Sequence, residues 1–460
     1  MKSSKYKNQK VLVLGLGKSG YYAAKLLHSL GAEVTLNDAQ DLTDDPKAKE
    51  LEELNISVIS GGHPDHLLDE TFAYLVKNPG IPYENKMVQE ALSLKIPVIT
   101  EVEVATSMMD GYLIGVTGTN GKTTTTSIIQ QMLNLKRAKG FAYAIGNIGV
   151  PASEVALTAK KEDDLVMELS SFQLMGTPTL QPKIAVITNL YSAHLDYHGT
   201  QAAYEAAKMN LIKNQNANNY LIYNKDQAHL EELVLENTKA TLLPFSRKQF
   251  LEKGISVKEQ SIYFNGEKVA AVSDVFLAGL HNLENMLAAI GVAKLKNVPN
   301  QIIQEVLKNF RGVKHRTQFV TTFNERIFYN DSKATNMEAT ENALAGFSQP
   351  VILLAGGLNR GNTFEPLIPA LQKHVKAVVS FGETADLILE VAKKAGVKEL
   401  IKAENVEQAV PKAYDLSEAG DVILLSPAAA SWDQYPNFEI RGDKFIDAVA
   451  YLEKNEKDQE

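Results

Sequence analysis

The stretch Gly115-Val116-Thr117-Gly118-Thr119-Asn120-Gly121-Lys122-Thr123-Thr124-Thr125 constrains this chain more than any other. It follows the apolar run Tyr112-Leu113-Ile114 and precedes residues 127–133, whose apolar spacing predicts a helix packed on one face. The order is therefore strand, tight turn, helix N-terminus, a geometry suited to phosphate. Glycines let backbone N–H groups converge, the helix dipole adds partial positive charge, Lys122 adds a full one, and the Thr123 hydroxyl suits Mg²⁺. The strict triphosphate pattern would put a glycine at Val116; here the glycines fall at 115, 118 and 121, so the general motif is partly met.

A chain of 460 residues, at about 150 per domain, predicts roughly three domains. An apolar share of 45% and a charged share of 22% are those of a soluble globular protein. The absence of cysteine excludes disulfides, thiolate zinc sites and cysteine nucleophiles, and it suits a cytoplasmic setting. Met1 to Lys10 is basic and leads into Val11-Leu12-Val13-Leu14, but that run is too short for a leader and reads as a first core strand. No apolar stretch is long enough to cross a bilayer, so no membrane partner is expected. A net charge of −8 argues against a nucleic-acid surface, and any anionic substrate needs local positive sites.

Taken in order, Val11 to Gly20 reads as a strand, the glycines 15, 17 and 20, and a helix; Glu33 to Leu36 is a second strand ending at Asn37-Asp38. This is a dinucleotide fingerprint, with a diphosphate at the helix N-terminus and Asp38 on a ribose hydroxyl. It reports a diphosphate and a sugar rather than hydride chemistry, and UDP-sugars carry both. Asn78 to Pro82 is a turn at a strand end that could close over the same ligand, and Glu101 and Glu103 lead toward a second domain. Boundaries near 105 and 312 give domains 1–105, 106–312 and 313–460. In the second, one short apolar strand ends in Glu168 and another in Thr188-Asn189, followed by His194, and an open sheet binds ligands at such ends. Thr200 to Lys213 reads as a helix carrying Lys208, Asn265-Gly266 as a hairpin turn, and His281 and Asn285 share a helix face that could touch an adenine. In the third domain, strands end at Asn330 before Asp331, at Gly356-Gly357 before Asn359-Arg360, and at Leu425 before the small, polar and aromatic segment Ser426 to Gly442.

These motifs, in this order, resemble the Mur ligase family, ATP-dependent enzymes that join an amino acid to a carboxylate. The carriers are Gly118 to Thr123, Glu168-Leu169-Ser170-Ser171, the His194 segment, His315-Arg316, Asp331 to Thr335 and Ser426 to Gly442. The last segment, Ser-Pro-Ala-x-Ala-Ser-Trp-Asp-x-Tyr-x-x-Phe-Glu-x-Arg-Gly, is similar to the D-glutamate-adding branch. The resemblance implies an α/β chain of three domains: an N-terminal Rossmann-like UDP-binding domain, a central P-loop ATPase-like domain and a C-terminal Rossmann-like domain. It implies a monomeric, cytoplasmic ligase of peptidoglycan synthesis, with ATP and Mg²⁺ as cofactors and UDP-N-acetylmuramoyl-L-alanine and D-glutamate as partners.

The same resemblance implies roles for single residues. Lys122, His194 and Lys208 would be catalytic, Lys208 as a carbamate. Gly118, Thr119, Asn120, Gly121, Lys122, Thr123, Thr124, Asn285, Arg316 and Asp331 would bind ATP. Thr123, Glu168, His194 and Lys208 would serve metal ions. Gly17, Lys18, Ser19, Asp38 and Gly80 would hold the UDP portion, with Asn147 near the muramoyl end. Thr335, Arg360, Ser431 and Phe438 would surround D-glutamate. Two positions depart from the family: Ala193 stands where an acid commonly precedes the histidine, and Asn359-Arg360 stands where Asp-Lys is common. A guanidinium grips a carboxylate with two hydrogen bonds, whereas an ammonium is a point charge. The alternatives are a folate-glutamate ligase of the same family, a nicotinamide-dependent dehydrogenase, which leaves the second phosphate loop idle, and a nucleotide-operated switch, which leaves the third domain idle.

Overall fold

A computed structural model describes residues 5–277 and 279–457. The first of its three sheets holds β1 (Lys10–Leu14), β2 (Glu33–Asn37), β3 (Ser57–Ile59), β4 (Phe72–Lys77) and β5 (Val98–Ile99), all parallel, in the order β3-β2-β1-β4-β5. Val11 and Val13 of β1 enter one core and Leu12 and Leu14 another. A parallel strand covered on both faces needs apolar residues at every position, which is why this run does not alternate. The strand order reverses at β1, so a crevice opens beyond its carboxyl end.

The second sheet holds β6 (Tyr112–Thr117), β7 (Ala142–Gly146), β8 (Asp164–Glu168), β9 (Ile184–Ile187), β10 (Tyr220–Asn224), β11 (Thr241–Ser246), β12 (Ile255–Lys258), β13 (Ser261–Phe264) and β14 (Glu267–Ala271). Their order is β14-β13-β12-β11-β10-β9-β6-β8-β7. The last two strands in sequence turn antiparallel through Asn265-Gly266, both at positive φ, as a tight hairpin of this type requires. Reversal occurs at β6, between β8 and β9.

These two sheets form one compact unit through Val275, completed by Leu280–Lys308. Helix Glu101–Met108 is the reason. Its Val102, Val104 and Ala105 lie in the same core as Val11, Leu165 and Ile187. Buried Glu101 accepts hydrogen bonds from the Ser153 amide and hydroxyl, and Glu103 accepts from the Thr179 amide at 3.2 Å. Residue 105 lies within this helix.

A second unit takes Phe276, Gly279 and the chain from Asn309. Its sheet holds β15 (Gln318–Phe323), β16 (Arg326–Asn330), β17 (Val351–Gly356), β18 (Val375–Phe381), β19 (Glu399–Lys402) and β20 (Val422–Leu425), in the order β15-β16-β20-β17-β18-β19. Only the edge strand β15 is antiparallel to its neighbour. Alternate residues of β17 point to opposite cores, Val351, Leu353 and Ala355 to one, Ile352 and Leu354 to the other. Among the described residues no helix is long and apolar enough to cross a membrane.

Candidate active site

The loop after β6 leads into helix Lys122–Asn134, with Gly121 as its left-handed N-cap at φ 79°. A Cβ at Gly121 would collide with the Asn285 side chain, so a residue other than glycine is barred by both backbone and space. The loop is pinned to the end of β9. Thr188 Oγ1 donates to Asn120 O at 2.6 Å, and the Asn120 amide donates to Asn189 Oδ1 at 2.8 Å. Lys122 Nζ donates to Gly118 O at 3.0 Å and Thr119 O at 2.7 Å, which holds its charge over the loop. Asn285 is buried where helix Lys122–Asn134 meets the loop, with Thr125 Oγ1 donating to its Oδ1 at 3.3 Å.

Helix Gln201–Met209 brings Lys208 to the same loop, where its Nζ donates to Gly118 O at 2.7 Å and is 2% exposed. Burial first, then the Lys122 cation, hold its pKa well below a lysine's ordinary 10.5, and Glu168 opposes them. Tyr204 lies one turn earlier. Its hydroxyl shares a 3.0 Å hydrogen bond with Thr119 Oγ1, its ring lies 4.7 Å from Lys208 Nζ, and the His194 ring is 6.2 Å away. Sequence reasoning passed over Tyr204; its i, i+4 spacing to Lys208 was the available signal.

Glu168 closes β8, is 1% exposed and accepts from Asn147 Nδ2 at 2.8 Å. Its Oε2 is buried without a hydrogen-bond partner. An orphaned carboxylate oxygen beside a phosphate loop, with the buried Thr123 hydroxyl opening the helix, fits Mg²⁺, which prefers oxygen and completes its shell with water and phosphate. Among the described residues no three of His, Cys, Asp and Glu converge on a point. β9 stops at Ile187, Thr188 and Asn189 follow it, and His194, further along the same connection, caps helix Leu195–His198 at φ 55°. Its ring packs on Phe172 at 5.1 Å. His198, absent from the sequence reading, meets Ser171 Oγ at 2.9 Å, and burial followed by His194 and Lys208 lowers its pKa.

In the first sheet, the loop after β1 and the end of β2 enclose a cleft of ≈ 360 Å³ lined by Gly15, Gly17, Asp38, His63 and Asn78. A Cβ at Gly20 would strike the Gly15 carbonyl, so the helix can approach the loop only with glycine there. Asp38 clamps the loop, accepting from the Leu16 amide at 2.7 Å and the Gln40 amide at 2.9 Å. Lys18 and Ser19 open helix Lys18–Ser29, and Lys18 Nζ donates to Gly149 O in the turn beyond β7. The Gly80 amide donates to Asn78 Oδ1 at 3.2 Å.

The turn 78–82 is organised by a residue the sequence reading passed over. Lys77 is 1% exposed, and its Nζ donates to Ile81 O at 2.8 Å, Pro79 O at 3.1 Å and Tyr197 OH at 3.3 Å. Burial lowers its pKa from 10.5 to about 8. Between those values the unfolded chain holds this proton and the folded chain does not, so stability contributed by this group rises with pH from about 8 to 10.5. Lys77→Met should remove that rise, read as the difference in unfolding midpoint between the two proteins across alkaline pH. Equal slopes would show that another group titrates.

The second unit gathers its candidates at the ends of β16, β17 and β20. Fully buried Arg441, whose pKa burial lowers to about 10, ties these ends together. It donates to Ser332 O at 2.9 Å, Ala429 O at 3.1 Å and Gly356 O at 3.3 Å. Asp331 accepts from the Thr317 amide and Ser426 Oγ, both at 2.9 Å, and burial raises its pKa to about 6. The hydrogen bonds from Thr317 and Ser426 and the charge of exposed Arg316 oppose this rise. Ser431 Oγ is buried without a partner. The Phe438 carbonyl accepts from Ser332 Oγ at 2.8 Å, and the Thr335 amide donates to Lys333 O at 2.9 Å. Arg360 is exposed, its guanidinium 4.7 Å from the Trp432 ring.

A phosphate loop at the reversal of a mostly parallel sheet, with a buried acid and two lysines at its edge, defines a nucleotide-binding α/β protein of the phosphoryl-handling class. The chain belongs to the Mur ligase family. Residues 9–100 match the Mur ligase MurD-like N-terminal domain, 116–293 the Mur ligase middle domain, and 315–429 the Mur ligase glutamate ligase domain. The chain is 56% identical to the UDP-N-acetylmuramoylalanine--D-glutamate ligase of Lactiplantibacillus plantarum, over 98% of each chain. It is 55% identical to the protein of that name from Enterococcus faecalis, over 99% of each. Its fold is shared with UDP-N-acetylmuramate-alanine ligase MurC from Thermotoga maritima, at TM-score 0.58 and 19% identity over 97% of this chain and 100% of that one. MurF ligase from Thermotoga maritima, solved with ADP, aligns at TM-score 0.55 and 18% identity, over 98% and 97%.

Proposed function

We propose that this chain joins D-glutamate to UDP-N-acetylmuramoyl-L-alanine at the expense of ATP, releasing ADP and phosphate. The carrying observation is identity of 56% and 55% over nearly the full length to proteins named for that reaction. The residues at the loop supply the chemistry the reaction needs. A carboxylate resists attack by an amine because oxide would have to leave. Here the alanyl carboxylate oxygen attacks the γ-phosphorus of ATP, the bond to ADP breaks, and an acyl-phosphate forms. The neutral amine of D-glutamate then adds to the acyl carbon, loses a proton, and phosphate departs with one former carboxylate oxygen.

Lys122 and the amides of the Gly118–Lys122 loop hold the transferring phosphoryl group and the charge that develops on it. Thr123 and Glu168 would hold Mg²⁺, with His194 and a carbamylated Lys208 at a second metal position; the metal supplies charge neutralisation at the phosphates. The lowered pKa of Lys208 favours the neutral amine that carbamate formation requires. The cleft at Gly17, Asp38 and Gly80 receives the UDP portion, Asn147 faces the muramoyl end, and Asn285, Arg316 and Asp331 serve ATP. Thr335, Arg360, Ser431 and Phe438 receive D-glutamate. The enzyme acts as a monomer in the cytoplasm, where ATP and UDP-sugars are found.

Phosphate release from ATP, measured with UDP-N-acetylmuramoyl-L-alanine and each of D-glutamate, L-glutamate and L-lysine, tests the reading. Release should depend on D-glutamate; preference for L-lysine would overturn the assignment of the third sheet. Isotopic oxygen in the alanyl carboxylate should appear in the released phosphate, and its absence would exclude the acyl-phosphate.

A further inference from the structure

The loops that follow β17 and β20 are joined directly and through Glu383 by hydrogen bonds from backbone amides. The Leu358 amide donates to Ala430 O at 2.8 Å, the Asn359 amide to Glu383 Oε2 at 3.0 Å, and the Glu383 amide to Asp433 Oδ2 at 3.1 Å. The Gly361 amide donates to Asn359 Oδ1 at 2.8 Å. Arg360 and Trp432 therefore project from anchored backbone on adjacent strand ends. Both nearby acids, Glu383 and Asp433, accept from backbone amides. The Arg360 guanidinium lies over the indole instead, its carbon 4.7 Å from the ring.

Trp432 is 65% exposed, so packing in a core does not account for its size. A flat guanidinium resting on an aromatic face keeps its N–H donors free at its edge, where a carboxylate can accept two of them. An ammonium has neither the flat face nor the paired donors. An arginine free in solvent loses rotamer freedom when a ligand fixes it, and a ring already holding it lessens that loss.

We propose that Trp432 is a positioning residue that holds the Arg360 guanidinium on its indole face, ready to grip a carboxylate of the acidic amino-acid substrate. The proposal rests on the assignment of this loop to D-glutamate. Trp432→Ala should raise the KM for D-glutamate roughly two- to fivefold, the size of an exposed cation–π contact, with kcat and the KM for ATP unchanged. Trp432→Phe, which keeps an aromatic face, should stay close to the parent.

Because Trp432 is the sole tryptophan, emission from the unmodified full chain reports on this pair. Saturation with D-glutamate should change that emission, and in Arg360→Ala the change should be lost. In the Arg360→Ala background, Trp432→Ala should have no further effect on the D-glutamate KM. An equal added effect there, or no effect of Trp432→Ala in the parent, would overturn the pairing. An unaltered D-glutamate KM in Arg360→Ala itself would instead overturn the assignment of the loop to D-glutamate.

Discussion

Lys122→Ala is expected to lower kcat by about 10²–10³-fold or more, because it removes a full charge from the place where transition-state charge gathers. Its Nζ sits over Gly118 O and Thr119 O, at the N-terminus of helix Lys122–Asn134, where backbone amides and helix dipole also converge. The side chain is only partly buried, so folding should change little, and the unfolding midpoint should stay near that of the parent. ADP and phosphate release under saturating substrates, set beside thermal unfolding of the same sample, separates the two effects. Full turnover in this variant would remove the central assignment.

The second large effect is at Lys208. Its amine is buried against Gly118 O, with Lys122 as a like charge and Glu168 as an opposite one. Its pKa lies well below 10.5, so at neutral pH the free amine that reacts with carbon dioxide is more available than on an exposed lysine. Carbamylation would turn the residue from a cation into an oxygen donor beside Glu168, whose Oε2 has no partner. Lys208→Arg, which stays charged and cannot form the carbamate, should lose activity by about 10²-fold or more, as expected when a charge-stabilising ligand is lost. In the parent, thorough removal of carbon dioxide should lower the rate and bicarbonate should restore it, while the variant should respond to neither. Labelled bicarbonate should give a carbamate carbon signal in the parent that is absent from Lys208→Arg. Full activity in carbon-dioxide-free buffer with no such signal would exclude the carbamate.

Much of the architecture was legible locally. Val11 to Leu14, Leu165 to Met167 and Val351 to Leu354 are continuous apolar runs, and only strands buried on both faces need them. Glycine at 20 and 121 follows from backbone geometry and close approach, which a one-residue signal can report. The hairpin at Asn265-Gly266 is of the same kind. Motifs contiguous in sequence, such as Gly118 to Thr123, therefore announced their chemistry directly.

Other residues gave no such signal. Lys77 reads as one more lysine after an apolar run; its burial comes from a turn that folds its carbonyls around it and from Tyr197, 120 residues away. Tyr204 and His198 acquire meaning only from Thr119 and Ser171. For Asn285, helix periodicity gives a face but not the neighbour on it, which is helix Lys122–Asn134 with its loop glycine. Arg441 was visible within a motif but without a task until three strand ends closed around its guanidinium.

By itself the sequence determined where phosphate can be held, which strands are doubly buried and which turns need glycine, since each depends on residues within about one turn or strand. Only the tertiary structure decided which lysines lose water and which carboxylate oxygen is left without a donor. Those properties depend on burial by distant segments, and desolvation, unlike backbone preference, leaves no local mark in the chain.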